Sequence, residues 1–370
     1  MARKRIDSLT GARFLAIMTI VISHFEFLSK CSFGRLYDTY FHNPTMGVDF
    51  FFMLSGFGMM LSTCEICSEN GGEKQSELNI SVSYAIKHIK NIYPLYVTML
   101  LIGIPYYLIY KIFETGASII SSVINSVIQL GCAITLLQSA TGISSFSHAL
   151  NGVCWFLSTL FCIYLISPMI MNCFKRVLYT KWLAMLGLGI SIMISYILAI
   201  LFDYIEKNTI FDDLVYGSPY RRVFYVTSGM IIAIIYRFSD KEKTSVALEY
   251  VSVAVSIIYF FVRNSVENKL GMLIYIIDML ICSAFLYSLS LEKGRISKLL
   301  ASKMMVYLGN ISVYIFITHY LIRMYVDFLV RYFNLQSDWT AIIEVILIFS
   351  LTMLISVLIE RGQRLKKSKR

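Results

Sequence analysis

Arg13 and His24 enclose ten residues of the stretch "GARFLAIMTIVISHF", and eight of the ten are apolar. A guanidinium and an imidazole are costly to keep on an apolar helix, so each needs a reason to be there. Eleven positions at about 100° per residue bring the two side chains to within roughly 20° of one another, about 16 Å apart along the axis. Each has an ordinary explanation alone: Arg13 as an anchor that snorkels to a membrane surface, His24 as a hydrogen bond between helices. Sharing one face, they read as a polar track that starts at the N-terminal side of the helix. Asp49, in "MGVDFFFMLSGFGM", lies a few residues inside the next apolar run, near the depth expected of His24. A carboxylate beside an imidazole fixes its tautomer and raises its basicity, which suits a general base. The alternative for Asp49 is a carboxylate facing a water-filled vestibule. Gly47, Gly56 and Gly58 on the same run would let a neighbouring helix come close.

The elements that hold these residues follow from composition. The chain has 370 residues, 57% hydrophobic and 15% charged, with mean hydropathy +0.68. Soluble domains run near 45–50% apolar and about 25% charged. The chain is therefore expected to be an all-α integral membrane protein, one transmembrane domain over 1–370, with any chemistry inside the bundle or at its rims. Apolar segments fall near 13–30, 45–62, 91–112, 152–174, 182–203, 222–238, 244–262, 269–290, 304–330 and 340–360. An eleventh, 118–138, is interrupted by Ser, Asn, Gln and Thr. If it returns to the side it left, 23 of the 33 Lys and Arg share the side of the N-terminus; if it crosses, 14 do. The positive-inside bias selects the first arrangement. It comprises about ten transmembrane helices, both termini cytoplasmic, a basic cytoplasmic tail over 361–370, and a re-entrant or interfacial helix near 118–138. Such a helix is permitted where protein covers its backbone. The net charge of +10 is accounted for by span ends and tail and does not point to nucleic acid. "MARKR" followed by an apolar run without a small-residue cleavage site reads as a retained first span. Most of the eight Cys lie in apolar runs; Cys64 and Cys67 have C-x-x-C spacing but no second pair, so neither a metal site nor a disulfide framework is expected.

Six blocks, in order, carry a resemblance. "SLTGARFLAIMTIVISHF" resembles the opening of the membrane acyltransferase 3 family, whose signature is Arg, ten residues, His. "GVDFFFMLSGF" is similar to that family's second-span block, and "AIKHIKNIYPLY" to its basic motif before the third span, with Lys87 and Lys90 where Arg is more usual. "NGVCWFLSTLFCIYLISP" is similar to its Trp-x-Leu-Ser block, which contains Trp155 here. "SPYRRVFYVTSGM" sets Arg222 seven residues before Gly229, as the family's Arg block does, and "YLGNISVYIFITHYLI" is similar to its late block with a His, here His319. Two positions depart from the pattern: Leu160 and Tyr225 stand where the family often carries Glu. The extracellular esterase-like domain appended in some relatives is not expected here.

The resemblance implies transfer of an acyl group, acetyl foremost, from cytoplasmic acyl-coenzyme A to a hydroxyl, often on a surface glycan or glycolipid. The implied roles are His24 and Asp49 in catalysis, and Arg13, Lys87 and Lys90, with His88 beside them, in holding the donor's phosphates. Arg222, His319 and Trp155 would act on the acceptor side or in support. Acetyl-coenzyme A is a co-substrate, and no permanently bound cofactor is implied. His148, in a loop, reads as a surface histidine. The competing function is a transporter or flippase using the same buried cations, although neither internal repeats nor matched broken helices occur. A third is a non-catalytic partner in a membrane assembly.

Overall fold

The computed structural model describes residues 6–62, 77–240 and 242–368. Cys64, Cys67 and the N-terminal basic residues lie outside them. Every one of the ten expected segments contains helix. The long helices are α1 (Asp7–Ser23), α2 (Thr45–Ser62), α3 (Glu77–Ile89), α4 (Tyr93–Ile109), α5 (Ile119–Ile134), α6 (Trp155–Val177), α7 (Lys181–Asn208), α8 (Pro219–Phe238), α9 (Ala247–Leu270), α10 (Ile274–Ser290), α11 (Lys303–Tyr332) and α12 (Asp338–Ser368). Among the described residues, seven helical stretches are long and apolar enough to cross a membrane by length and composition. One of the seven, Ala247–Ser290, is the α9–α10 run. α1 is only 17 residues long, and α8 carries Arg221, Arg222 and Arg237. The chain is a multi-pass, all-helical membrane protein. α12 carries the expected tail on as helix as far as Ser368.

The centre of the bundle is the α2–α8 pair, which is held by glycine. A Cβ on Gly56 would strike the Val226 carbonyl, and one on Gly229 would strike the Met53 carbonyl. The two backbones therefore touch through reciprocal small residues, the device that brings helices together in lipid. Gly47 does the same for α2 against α1, opposing Ala16, Thr19 and Ile20, whereas nothing lies near Gly58. α1 also packs against α11, where Gly309 meets the Thr10 carbonyl. These two helices run parallel, so Thr10 and Gly309 mark one end of the bundle and His24 and His319 the other half.

Two segments set the depth of the site. The sequence from 80 to 96 reads as one helix with its cations in the first turns. The structure breaks it at 90–92, leaving Lys87 and His88 in the last turn of α3. Pro94 sits in the first turn of α4, where a missing N–H is tolerated. α3 lies along the second half of α6, and α4 continues toward the His24 end, where Gly103 meets the Leu150 carbonyl. The other segment is α5. Its Ser122, Ser126, Gln129 and Ala133 are buried, while Ile119, Ile120, Val123, Ile124, Val127 and Ile128 are exposed. Ser122, Ser126 and Gln129 face protein, while Ser121 and Asn125 are exposed with the apolar residues; the buried stripe is polar, the inverse of a soluble amphipathic helix. At 16 residues α5 rises about 24 Å, short of a hydrocarbon core of about 30 Å. Tyr96 Oη donates to Ala133 O at 2.7 Å, and Ser158 Oγ donates to Leu136 O at 2.9 Å, in the first turn of α6. Both bonds fasten the C-terminal end of α5, to the first turn of α4 and the first turn of α6.

Candidate functional site

His24 ends α1, and its ring centroid lies 5.5 Å from that of His319 and 5.1 Å from that of Tyr320, the latter edge-on. His319, expected on the acceptor side or in support, thus lies beside His24. His319 is buried, and its Nδ1 is 3.0 Å from the Ile315 carbonyl one turn back on α11. That bond needs a proton on Nδ1, which leaves Nε2 as an acceptor, and no described group occupies it. The end of α1 is fastened by Tyr37 Oη, which donates to Ser23 O at 2.6 Å. Tyr320 needs Gly152 beneath its ring. Asn151 Nδ2 donates to Ile317 O at 3.0 Å and fixes the loop before α6 to α11.

Asp49 is not beside His24. It is ion-paired with Arg222, and both side chains are fully buried. The cause is helix register. Gly47 is level with Ala16 to Ile20, so Asp49 on the antiparallel α2 is about level with Ala16, some 12 Å short of His24 at about 1.5 Å per residue. Arg222 is likewise enclosed. Its Nε donates to Tyr216 O at 2.7 Å, and its guanidinium lies against the rings of Tyr216 and Tyr225 at 4.9 Å, Phe52 at 5.4 Å and Trp155 at 5.9 Å. Trp155, expected on the acceptor side or in support, is buried in this packing.

Further ion pairing surrounds it. Arg221 is fully buried, donates from Nη1 to Tyr225 Oη at 2.9 Å and lies 4.3 Å from the Tyr275 ring. Tyr225 thus accepts from Arg221 where relatives often have Glu. Arg263 grips Asp278 with two bonds of 2.9 and 2.8 Å, and Tyr259 Oη donates to the same carboxylate at 2.7 Å. Asp278 in the apolar run "MLIYIIDMLIC" was the readable signal for this pair.

On the other side of the Arg13–His24 track, His88 stacks against Tyr164 at 4.9 Å and Tyr84 at 4.2 Å. The Arg13 guanidinium is within electrostatic reach of Tyr164, and Arg13, Lys87 and Lys90 are exposed. Tyr164 is near the middle of α6, so this basic cluster sits partway down the bundle and not at its rim.

The His24 end holds a cavity of about 490 Å³ that sequence reading did not anticipate. Tyr320, edge-on to His24, lines it with Tyr106, Tyr107, Tyr110, Lys30, Lys111, Arg323 and Arg331. Tyr110 and Lys111 come from a π-helical turn, Tyr110–Glu114, that follows Pro105 in α4; such turns are frequent at functional sites. His148 also lines it; it is exposed, as expected of a surface histidine, but partnered: its Nε2 is 3.5 Å from Asp213 Oδ2 and its Nδ1 3.0 Å from Gly152 O. Desolvation opposes the charged imidazolium, but Asp213, the Gly152 carbonyl and Asp212 outweigh it and raise His148 above the usual imidazole range.

The site thus consists of buried ion pairs inside a helical membrane bundle and a histidine pair next to the Tyr320 wall of a polar aromatic cavity. The acyltransferase 3 family, an acyltransferase domain, matches residues 6–361, and the chain belongs to that family. Comparison with curated proteins and with solved structures gives no match.

Proposed function

We propose that this membrane acyltransferase is an O-acyltransferase that moves an acyl group, acetyl foremost, from cytoplasmic acyl-coenzyme A to a hydroxyl of a cell-envelope carbohydrate. The observation that carries it is the His24–His319 pair beside Tyr320, whose side chain lines an aromatic and charged cavity, with a basic cluster about 16 Å back along α1. Charged side chains at that depth face water and not lipid. The donor's phosphates would meet Arg13, Lys87 and Lys90 in a vestibule open to the cytoplasm, and its thin pantetheine arm would carry the thioester on toward His24. Phosphate recognition by a guanidinium is bidentate, which suits Arg13.

In the reaction, a ring nitrogen of His24 takes the hydroxyl proton of the acceptor as its oxygen attacks the thioester carbonyl carbon. The tetrahedral intermediate collapses, the C–S bond breaks, and the departing sulfur takes the proton back from the imidazolium. His319 holds the ring of His24 from one side and Tyr320 from the other, so both are positioning residues. Asp49 and Arg222 stiffen the α2–α8 core beneath them.

The test is mass spectrometry of envelope glycans from cells with the wild-type chain, without it, and with His24→Ala. One acyl mass present only with the wild-type chain is expected. Identical glycans in all three would remove the reading.

A further inference from the structure

The cavity at the His24 end carries a charge pattern that bears on what it holds. Its two lining carboxylates are both committed. Glu26 accepts from Arg323 at 2.8 Å, and Asp327 pairs with Arg331 at 3.3 Å, one turn along α11. Buried Glu344 on α12 is within electrostatic reach of both arginines. The arginines are thus tied into the wall. Lys30 and Lys111 line the same cavity and have no carboxylate partner among the described residues. Lys111 Nζ lies 5.5 Å over the Tyr107 ring, a face that steadies the ammonium without neutralising it. The Nε of Arg323 is buried and unpartnered as well. Tyr107, Tyr110 and Tyr320 supply flat, amphipathic walls with hydroxyl tips.

We propose that this cavity binds the acceptor through an anionic group on the sugar, a carboxylate or a phosphate ester, held by Lys30 and Lys111 against the tyrosine walls. This rests on the O-acyltransferase reading for the identity of the ligand as acceptor. The anionic group sets register: it anchors one end of the sugar at the lysines while a neighbouring hydroxyl lies toward Tyr320 and His24. Two free ammonium groups in a partly enclosed site give an anionic ligand roughly a tenfold advantage over its neutral counterpart.

The experiment is calorimetric titration of the full-length protein in nanodiscs with three probes: a glucuronate-terminated tetrasaccharide, its carboxyl-reduced counterpart, and the matching sugar phosphate. At least one anionic probe is expected to bind about tenfold tighter than the neutral one. The double variant Lys30→Gln, Lys111→Gln should abolish that advantage and leave the neutral affinity unchanged, which also shows that the cavity is intact. The tighter anionic probe separates the carboxylate from the phosphate source. Equal affinity for all three probes, no binding of either anionic probe, or an advantage that survives in the double variant would overturn the proposal. Transfer of radiolabelled acetyl from acetyl-coenzyme A to the same probes separates the two readings. No transfer alongside tight anionic binding removes the acyltransferase assignment and keeps the anion site. Transfer to the neutral probe as fast as to the anionic ones removes the anion site and keeps the assignment.

Discussion

At the scale of single residues, the histidines and the Asp49–Arg222 pair separate chemistry from scaffold. A positioned base contributes about 10²–10⁴-fold to a hydroxyl's attack. His24→Ala should therefore lower acyl transfer by at least the smaller factor while leaving donor affinity near wild type, read by initial rates and by acyl-coenzyme A binding on the same preparation. Asp49→Asn should act differently, because Asp49 touches Arg222 and not His24. It leaves a fully buried guanidinium without its countercharge, which costs about 3–5 kcal/mol, so its signature is a lowered unfolding temperature. Asp49→Leu with Arg222→Met removes both charges and should recover most of that loss; a double variant as unstable as the single one would contradict the pairing. His148 gives a pH test. Its folded pKa is raised by Asp213, so the pair stabilises fully below about 6.5, the ordinary imidazole value, and the contribution fades as pH rises through the higher folded value. The difference in unfolding temperature between wild type and His148→Gln should be largest near pH 6 and shrink by pH 9. A difference that grows with pH would refute the assignment.

At the scale of elements, close approach decides depth, and depth decides which side chains meet. Gly56 and Gly229 have no space for a Cβ because each faces a backbone carbonyl of the partner helix. Gly229→Ala should force α2 and α8 apart and cost roughly 1–3 kcal/mol, as overpacking does, seen as thermal destabilisation; Gly58→Ala, with nothing near it, should be silent. The apolar segments were legible because lipid demands about 20 apolar residues per crossing, and so was the unusual character of 118–138. The pairing of His24 with His319 was legible only through the resemblance, since the two are far apart in sequence. Asp49 was misplaced because the ends of apolar runs do not reveal register, which here is set by Gly47 against α1. The break at 90–92 was read through because Pro94 is compatible with both a continuous and a broken helix. The cavity was invisible for a different reason: Lys30, Lys111, His148 and Tyr320 come from four separate segments and share no spacing rule.

At the scale of the whole molecule, the two halves of the bundle differ in chemistry, and in the proposed function this sets the direction in which substrates meet. The basic cluster at Arg13 and His88 lies away from His24, near Tyr164, while the cavity with Lys111 and His148 lies at the His24 end. On the positive-inside bias, the expected orientation turns the first toward the cytoplasm. α7 and α8 link that assignment to a measurable position. Ser191 on α7 bonds to the Phe224 carbonyl and to Thr227 and Ser228 on α8, while Gly187, one turn earlier, faces Ile231, further along α8, so the two helices run antiparallel. The turn between them, from Asn208 to Pro219, accordingly lies at the cavity end and contains Asp213, the partner of His148. Asn208 is exposed and makes only a local bond, to the Tyr204 carbonyl. In a background lacking the eight native cysteines, Asn208→Cys should react with a membrane-impermeant thiol reagent in intact cells. Arg176→Cys, exposed at the opposite end of the bundle in the last turn of α6, should react only after permeabilisation. The reverse pattern would place the His24 cavity in the cytoplasm and would leave an acceptor outside the cell without access to the histidine pair. Labelling of both positions before permeabilisation would mean that α6 and α7 do not carry the chain across as the parity of ten spans requires.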